Sequence, residues 1–432
     1  MTPGARIAAA IEVLAEIFAR RRPAAEALKA WGLAHRFAGS ADRAAIAGLV
    51  YDALRRRASA AWIMGEDAPR AVVLGMLRLE RGLGAEAIAN LFDGARYAPP
   101  ALTEAEDARL SSATLDGAPP HVIGDYPEWL DPYLARVYGA ERAEEGTALA
   151  SRAPLDLRVN TLKGGREKAA QALAEYAPEP TRWSPWGLRI KLAADAKAPA
   201  IQAEPAFIKG LVEIQDEGSQ LAALLAGAKP GEQVVDLCAG GGGKTLALAA
   251  AMQNKGQIYA TDDDKRRLAP IHARLERAGV RNVQVRTPRG QQDVLADVAG
   301  RADLVLIDAP CTGVGTWRRN PDAKWRLRPG ALAERLKEQI AVLDRAAAVV
   351  KPGGRIVYAT CSLLGEENDD QVRAFLQRHS EFSVEKPQAV AAALGERAYL
   401  FLRAVLVTER GILMTPRRTD TDGFFVSVLR RR

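Results

Sequence analysis

Val234-Val-Asp236-Leu-Cys238-Ala-Gly240-Gly-Gly-Gly243-Lys244-Thr245 runs from an apolar stretch into four glycines and then a lysine-threonine pair. A short apolar run that ends in a glycine cluster reads as a strand, a tight loop and the start of a helix. Two ligands suit such a loop. A phosphate-binding loop needs the spacing G-x-x-x-x-G-K-[ST], and counting back from Gly243-Lys244-Thr245 puts Cys238 where its first glycine belongs. The alternative is a nucleoside lying over the glycines, its ribose hydroxyls held by an acid at the end of the next strand. Asp262, closing Tyr259-Ala-Thr-Asp262, stands at that place, near the spacing of about 20 residues such loops use. The phosphate reading fails at Cys238, whereas the nucleoside reading is met at both positions.

Outward from this loop, strand-like and helical stretches alternate to the end of the chain. Strands are expected over 233–238, 257–262, 283–286, 303–307 and 355–360, which specifies a doubly wound, Rossmann-like α/β sheet. The last two strand-like runs, 411–415 and 423–429, are joined by a short turn-rich link. Parallel neighbours need a long crossover, so these two form an antiparallel hairpin at one edge.

Two further strand ends carry chemistry. Asp303-Leu-Val-Leu-Ile-Asp308-Ala-Pro-Cys311 ends on a carboxylate and a thiol, and Tyr358-Ala-Thr-Cys361-Ser362 ends on a second thiol. Residues at the carboxyl ends of such strands face the ligand crevice. A thiolate can add to C6 of a pyrimidine and so make C5 nucleophilic enough to accept a methyl group from a sulfonium donor. A carboxyl group can steady the N3/N4 edge of the ring, and a second thiol or base must remove the C5 proton to release the enzyme.

The bulk composition fits this picture. The chain has 432 residues, long enough for two or three domains, with 48% hydrophobic and 26% charged residues. No apolar run reaches the ~18 residues of a spanning helix, and Met-Thr-Pro-Gly-Ala-Arg lacks a secretory pattern. A cytoplasmic protein without membrane contact is expected. Three cysteines and four scattered histidines make neither a disulfide framework nor a zinc site, so no metal is expected. The net charge of +7 and arginine runs such as Arg20-Arg-Arg22 and Arg55-Arg-Arg57 suit a polyanionic partner.

Residues 1–120 read as an all-α domain: Ile7, Ile11, Val13, Leu14, Ile17 and Phe18 form one apolar stripe, 43–54 forms another, and Ser40 and Asp42 lie where a helix cap belongs. Two Pro-Pro pairs, at 99–100 and 119–120, bracket a linker. Residues 121–214 read as leading helices followed by a small α+β module, with strands over 155–160, 187–192 and 207–214. The α/β domain occupies 215–432.

Asp308-Ala-Pro-Cys311, Thr360-Cys361-Ser362 and the Cys238–Thr245 loop together resemble the RNA (cytosine-5)-methyltransferases of the RsmB/NSUN family. Arg158-Val-Asn160-Thr-Leu162, Gln215-Asp-Glu-Gly-Ser-Gln220, Asn320-Pro-Asp322-Ala-Lys324-Trp325 and Thr421-Asp-Gly-Phe-Phe425 belong to the same resemblance, which covers about residues 125–432. The helical N-terminus is similar to the NusB-like RNA-binding domain of the bacterial RsmB branch. The resemblance implies S-adenosylmethionine as cofactor, RNA, in particular ribosomal (16S) RNA with a single-stranded or looped target, as substrate, and a monomer.

It also implies roles. Cys361 is the nucleophile, Cys311 assists release of the methylated base, and Asp308 contacts the cytosine and borders the donor methyl. Cys238, Ala239, Gly240, Gly241, Gly242, Gly243 and Lys244 form the cofactor loop, joined by Asp262 and Arg267. Arg158, Asn160, Arg318, Arg319 and Lys324 become RNA contacts. The chain departs from the family pattern twice. Gly240-Gly241 stand where the family loop has Ala-Pro, and the acid expected to touch the adenine after the third strand is missing from Arg286-Thr-Pro, with Asp293 the next candidate. A non-catalytic RNA-binding assembly factor on the same fold is the competing function. Retention of both cysteines speaks against it, and Cys238 speaks against a nucleotide triphosphatase.

Overall fold

The computed structural model describes residues 1–192, 199–288, 290 and 292–432. Its described residues divide into two compact units, the first made of Met1–Arg152 with Trp317–Arg328 and the second of the rest.

The first unit is helical. Its opening helix, Pro3–Arg20, starts with Pro3 at a first-turn position and with the Thr2 side chain accepting the Ala5 N–H, two devices that satisfy a helix start. Ile7, Val13, Leu14 and Ile17 are buried from it against Ile46, Val50 and Leu54 of Ser40–Arg55 and Val72 and Leu74 of Pro69–Leu79. Gly75 lets Pro69–Leu79 close on Arg57–Met64, because a Cβ there would lie 2.6 Å from the Ala60 backbone. The cap of Ser40–Arg55 is Gly39, not Ser40 or Asp42. Asp42 instead sits in the first turn and accepts from Arg6 Nε at 2.8 Å. Within the Pro-Pro linker, Glu104–Ser111 is a helix closed by a Thr103/Glu106 capping box.

The helical unit extends beyond residue 120. Asp131–Tyr138 and Arg142–Ala150 belong to it. The link is made by Asp125, whose buried carboxylate accepts from Ser59 N at 3.0 Å and Ser59 Oγ at 2.8 Å. Helices placed by the sequence with the α+β module therefore complete the first unit.

The second unit contains two sheets. The strands of the small one are β1 (Leu155–Val159), β2 (Glu179–Pro180), β3 (Gly187–Ile190) and β4 (Val212–Ile214), in the antiparallel order β2-β3-β1-β4. Leu157, Val159, Leu188, Ile190 and Val212 pack with Ala169 and Leu173 from the helical segment between β1 and β2. The expected strand over 207–214 starts later, because Pro205 opens a helical turn, Pro205–Ile208, where proline is pre-organised. Asp156, Arg158 and Glu213, also buried, alternate with the apolar set along β1 and β4.

The larger sheet consists, among the described residues, of β5 (Gln233–Asp236), β6 (Gln257–Ala260), β7 (Val283–Val285), β8 (Ala302–Asp308), β9 (Val350–Thr360), β10 (Phe382–Val384), β11 (Leu406–Val407), β12 (Ile412–Met414) and β13 (Phe424–Arg431). Its order is β11-β12-β13-β9-β8-β5-β6-β7, with β10 paired to β13. The run from β9 to β7 is parallel, and β13 returns antiparallel beside β9. This is the Rossmann-like sheet expected from the sequence, with β12 and β13 as the antiparallel hairpin. The chain runs from β5 to β6 on one side and later places β8 on the other. Ligands in such sheets bind at this reversal, outside the carboxyl ends of the strands. No helix among the described residues is long and apolar enough to cross a membrane.

Candidate active site

The carboxyl ends of β5, β8 and β9 bring the chemistry together. Asp308 and Ala359 are paired in register on β8 and β9, so the turns that follow carry Cys311 and Cys361 to the same place. Their Sγ atoms are 3.3 Å apart. Burial of Tyr358 and Thr360 below Cys361, and of Leu306 and Ile307 below Asp308, fixes both strand ends in the core.

Backbone contacts hold the two thiol loops. The Gly315 N–H donates to the Cys361 carbonyl at 2.9 Å, and the Gly423 N–H donates to the Gly315 carbonyl at 2.8 Å. A Cβ on Gly315 would lie 2.3 Å from the Gly423 carbonyl oxygen. Only glycine permits this approach. Glu367, fully buried, accepts from Thr312 N at 2.8 Å and from Gln339 Nε2 at 3.0 Å, and Gln339 also donates to the Pro310 carbonyl at 2.9 Å. Asn368 accepts from Thr360 Oγ1 at 2.6 Å and donates to the Ser362 carbonyl at 3.0 Å. Glu367 and Asn368 were missed in the sequence; the signal was a Glu-Asn pair six residues beyond Cys361.

The surroundings of Cys311 and Cys238 shift both thiols. Cys311 is pushed well above the ordinary thiol range, first by its hydrogen bond to Cys361 and then by burial. Cys238 is raised as well, by burial and by the charges of Asp236, Asp308 and Asp262. Asp308, about one-third exposed, accepts from Lys244 Nζ at 2.7 Å, and the same ammonium lies 4.9 Å from the centre of the Phe424 ring. Beneath them Asp236 is fully buried; burial lifts its carboxyl to about 7, although Thr245 Oγ1 donates to it at 2.7 Å.

The glycine loop fits a nucleoside cofactor. Gly240 and Gly242 have φ of +50° and +83°, a region that favours glycine. The position of a Gly240 Cβ is open to at least 3.8 Å, whereas at Gly242 it would lie 2.5 Å from Ile271. Asp262 accepts from Gly240 N and from Asp264 N, each at 3.0 Å. An ionised carboxylate has about four acceptor positions, so two backbone donors leave capacity for a ribose diol. Arg267 stands 3.7 Å from the same carboxylate. This donor set suits the nucleoside of S-adenosylmethionine, the cofactor that the resemblance implies. Asp293 accepts from Leu295 N at 3.1 Å and lies 3.6 Å from Arg345, which also pairs with Asp263 at 3.2 Å. The neighbouring Arg289 and Gln291 lie outside the described residues.

Four of the five expected RNA contacts are buried within the protein. Asn160 is buried, and its Nδ2 donates to the carbonyls of Gly210 and Ala278 at 2.9 and 2.8 Å. It ties β1 to the end of helix Ile271–Ala278. Arg158 is buried, donates to Gln215 Oε1 at 2.6 Å, and is lowered to about 10 by burial. Lys324 is buried in the first unit, donating to the carbonyls of Arg55 at 2.9 Å and Asp125 at 2.6 Å; burial lowers it to about 7. Arg318 is buried there too, and its carbonyl accepts from Arg55 Nη2 at 3.1 Å. Among these five, Arg319 is half-buried rather than buried.

The family description "16S rRNA methyltransferase RsmB/F" matches residues 222–430, and that of the RsmF/B-like ferredoxin-like domain matches 126–197. A probable ribosomal RNA small subunit methyltransferase B of Synechocystis is 34% identical over 309 residues, which are 71% of this chain and 67% of that protein. The match thus spans about two thirds of the relative's length. The crystal structure of PH0851 shares 28% identity and superposes with a TM-score of 0.70 over 99% of both chains. NSun6 from Pyrococcus horikoshii, solved with SFG, shares the fold at a TM-score of 0.59 and 22% identity, covering 72% of this chain and 99% of its own. On these matches, the chain belongs to the RsmB/F family of S-adenosylmethionine-dependent rRNA methyltransferases.

Proposed function

We propose that this protein methylates C5 of a cytosine in small-subunit ribosomal RNA through a covalent adduct at Cys361. The observation that carries the reading is the pair of thiols 3.3 Å apart at neighbouring strand ends, with Asp308 on one of them.

When bound, S-adenosylmethionine supplies an electrophilic methyl group. Residues 238–244 and Asp262 would hold it, and the remaining steps fall to side chains of this chain. The Cys361 thiolate forms a C–S bond to C6, and the C5–C6 π electrons move to C5, which takes the methyl group as its bond to the sulfonium sulfur breaks and that sulfur leaves as a neutral thioether. Asp308, held by Lys244, steadies the N3/N4 edge of the ring. Cys311 then removes the C5 proton; the electrons re-form the C5–C6 double bond and expel the Cys361 sulfur.

The order of events suits the thiol electrostatics. The largest cause raising Cys311 is Cys361. Once the Cys361 sulfur is consumed in a neutral thioether, that cause is gone, and Cys311 becomes easier to ionise at the stage that needs a base. The target nucleotide is reached in single-stranded or looped RNA, where a cytosine can leave the stack. Bisulfite mapping of 16S rRNA from a deletion strain tests the substrate. Loss of one 5-methylcytosine, restored by the wild-type gene but not by a Cys361→Ala gene, is the expected result. An unchanged methylation map with disturbed ribosome assembly would favour the non-catalytic reading.

A further inference from the structure

The proposed cofactor loop has glycine at every position from 240 to 243. Each glycine widens the set of conformations an unbound loop can visit. The loop is nevertheless held from outside. Arg274, on helix Ile271–Ala278, donates from Nη1 to the Gly241 carbonyl at 2.7 Å. The same Nη1 lies 3.2 Å from where a Cβ on residue 241 would be built. The guanidinium thus occupies the space a side chain at 241 would enter and fastens the same residue's carbonyl.

The other end of the fork is fixed. Arg274 Nη2 pairs with Glu213 Oε2 at 3.0 Å, and Arg277 takes the other carboxylate oxygen. Glu213 lies on β4 of the small module, with only 2% of its side chain exposed. A planar guanidinium suits this two-ended duty, since its donors are set in a rigid fork. We infer that Arg274 is a positioning residue for the cofactor loop, restraining it through the Gly241 carbonyl, and that Glu213 of the α+β module sets its orientation. Cofactor affinity in this chain therefore depends on a residue of the module next to the methyltransferase sheet.

The inference rests on residues 238–244 being the cofactor loop, and the test separates the two. Binding of S-adenosylmethionine and its demethylated product is measured by calorimetry on the full chain, with hydrogen exchange of the loop amides alongside. Arg274→Met should weaken binding about tenfold, the order expected for one charge-assisted hydrogen bond, and should speed exchange across 239–243. Gly241→Pro in the same variant should restore most of both, because a proline narrows the conformations open to the unbound loop. Glu213→Gln should shift affinity in the same direction by less. Should Arg274→Met not fold, Arg274→Lys, which keeps the cation and loses the fork, must still weaken binding. Asp262→Ala is the control for the site: if it leaves affinity unchanged, the cofactor-loop assignment fails. If it weakens binding while Arg274→Met and Arg274→Lys bind as wild type, or if proline gives no rescue, the inference about Arg274 is overturned alone.

Discussion

Asp236 is the residue whose titration is most exposed to test. Its carboxyl is buried under Asp308 and Asp262 and lifted to about 7 by that burial, against an ordinary value near ~3.9. The folded state therefore holds a proton that the unfolded chain has released between those two values. Stability from this group is present at low pH and is lost as pH rises through about 7. Asp236→Asn keeps the shape and removes the titration. The expected outcome is that its melting temperature, relative to wild type, climbs from pH 5 to pH 8; a difference independent of pH would contradict the assignment. Nothing in Val234-Val-Asp236 announced this. An aspartate ending an apolar run reads as a ligand-facing acid, and its burial depends on the strands set on either side.

At the scale of elements, the strand ends were legible because the signals are local. Apolar runs of strand length and glycine clusters gave β5 to β9 their order along the chain, and Asp308, Cys311 and Cys361 their places at strand ends. What supports those loops was not legible, since it comes from distant segments. Gln339 reaches Pro310 and Glu367, and Gly315 meets Gly423 across more than a hundred residues of sequence. The close approach at Gly315 leads to a further expectation. Gly315→Ala inserts a methyl group 2.3 Å from a carbonyl oxygen, an overpacking that costs about 1–3 kcal/mol. Displacement of the loop should also slow methyl transfer, measured as single-turnover rate beside denaturant unfolding. A variant with wild-type rate and stability would count against the two glycines fixing the Cys311 loop.

On the scale of the whole molecule, composition misled where burial decided. Arg318-Arg-Asn-Pro-Asp-Ala-Lys324-Trp325 is basic and aromatic, which reads as an RNA-facing flank. In the structure, Trp317–Arg328 is part of the helical unit. Lys324 bonds two carbonyls there, and Trp325 Nε1 donates to the Leu54 carbonyl at 2.6 Å. Lys324→Ala leaves two buried carbonyls without this donor, at about 1–3 kcal/mol each where water cannot replace it. An earlier unfolding transition of the helical unit is expected in calorimetric melting. If instead Lys324 served RNA from the surface, the variant would melt as wild type and lose RNA affinity with a reduced salt dependence.

The proposed covalent bond between Cys361 and cytosine is the step on which the proposed function turns. Its most direct measurement is a denaturing gel, with mass spectrometry of the retarded band, of Cys311→Ala incubated with small-subunit rRNA and S-adenosylmethionine. A denaturation-resistant protein–RNA complex is expected, with the RNA attached at Cys361 and the complex absent in the Cys311→Ala/Cys361→Ala double variant. Turnover by Cys311→Ala at the wild-type rate with no trapped complex, or attachment at any other residue, would contradict the account.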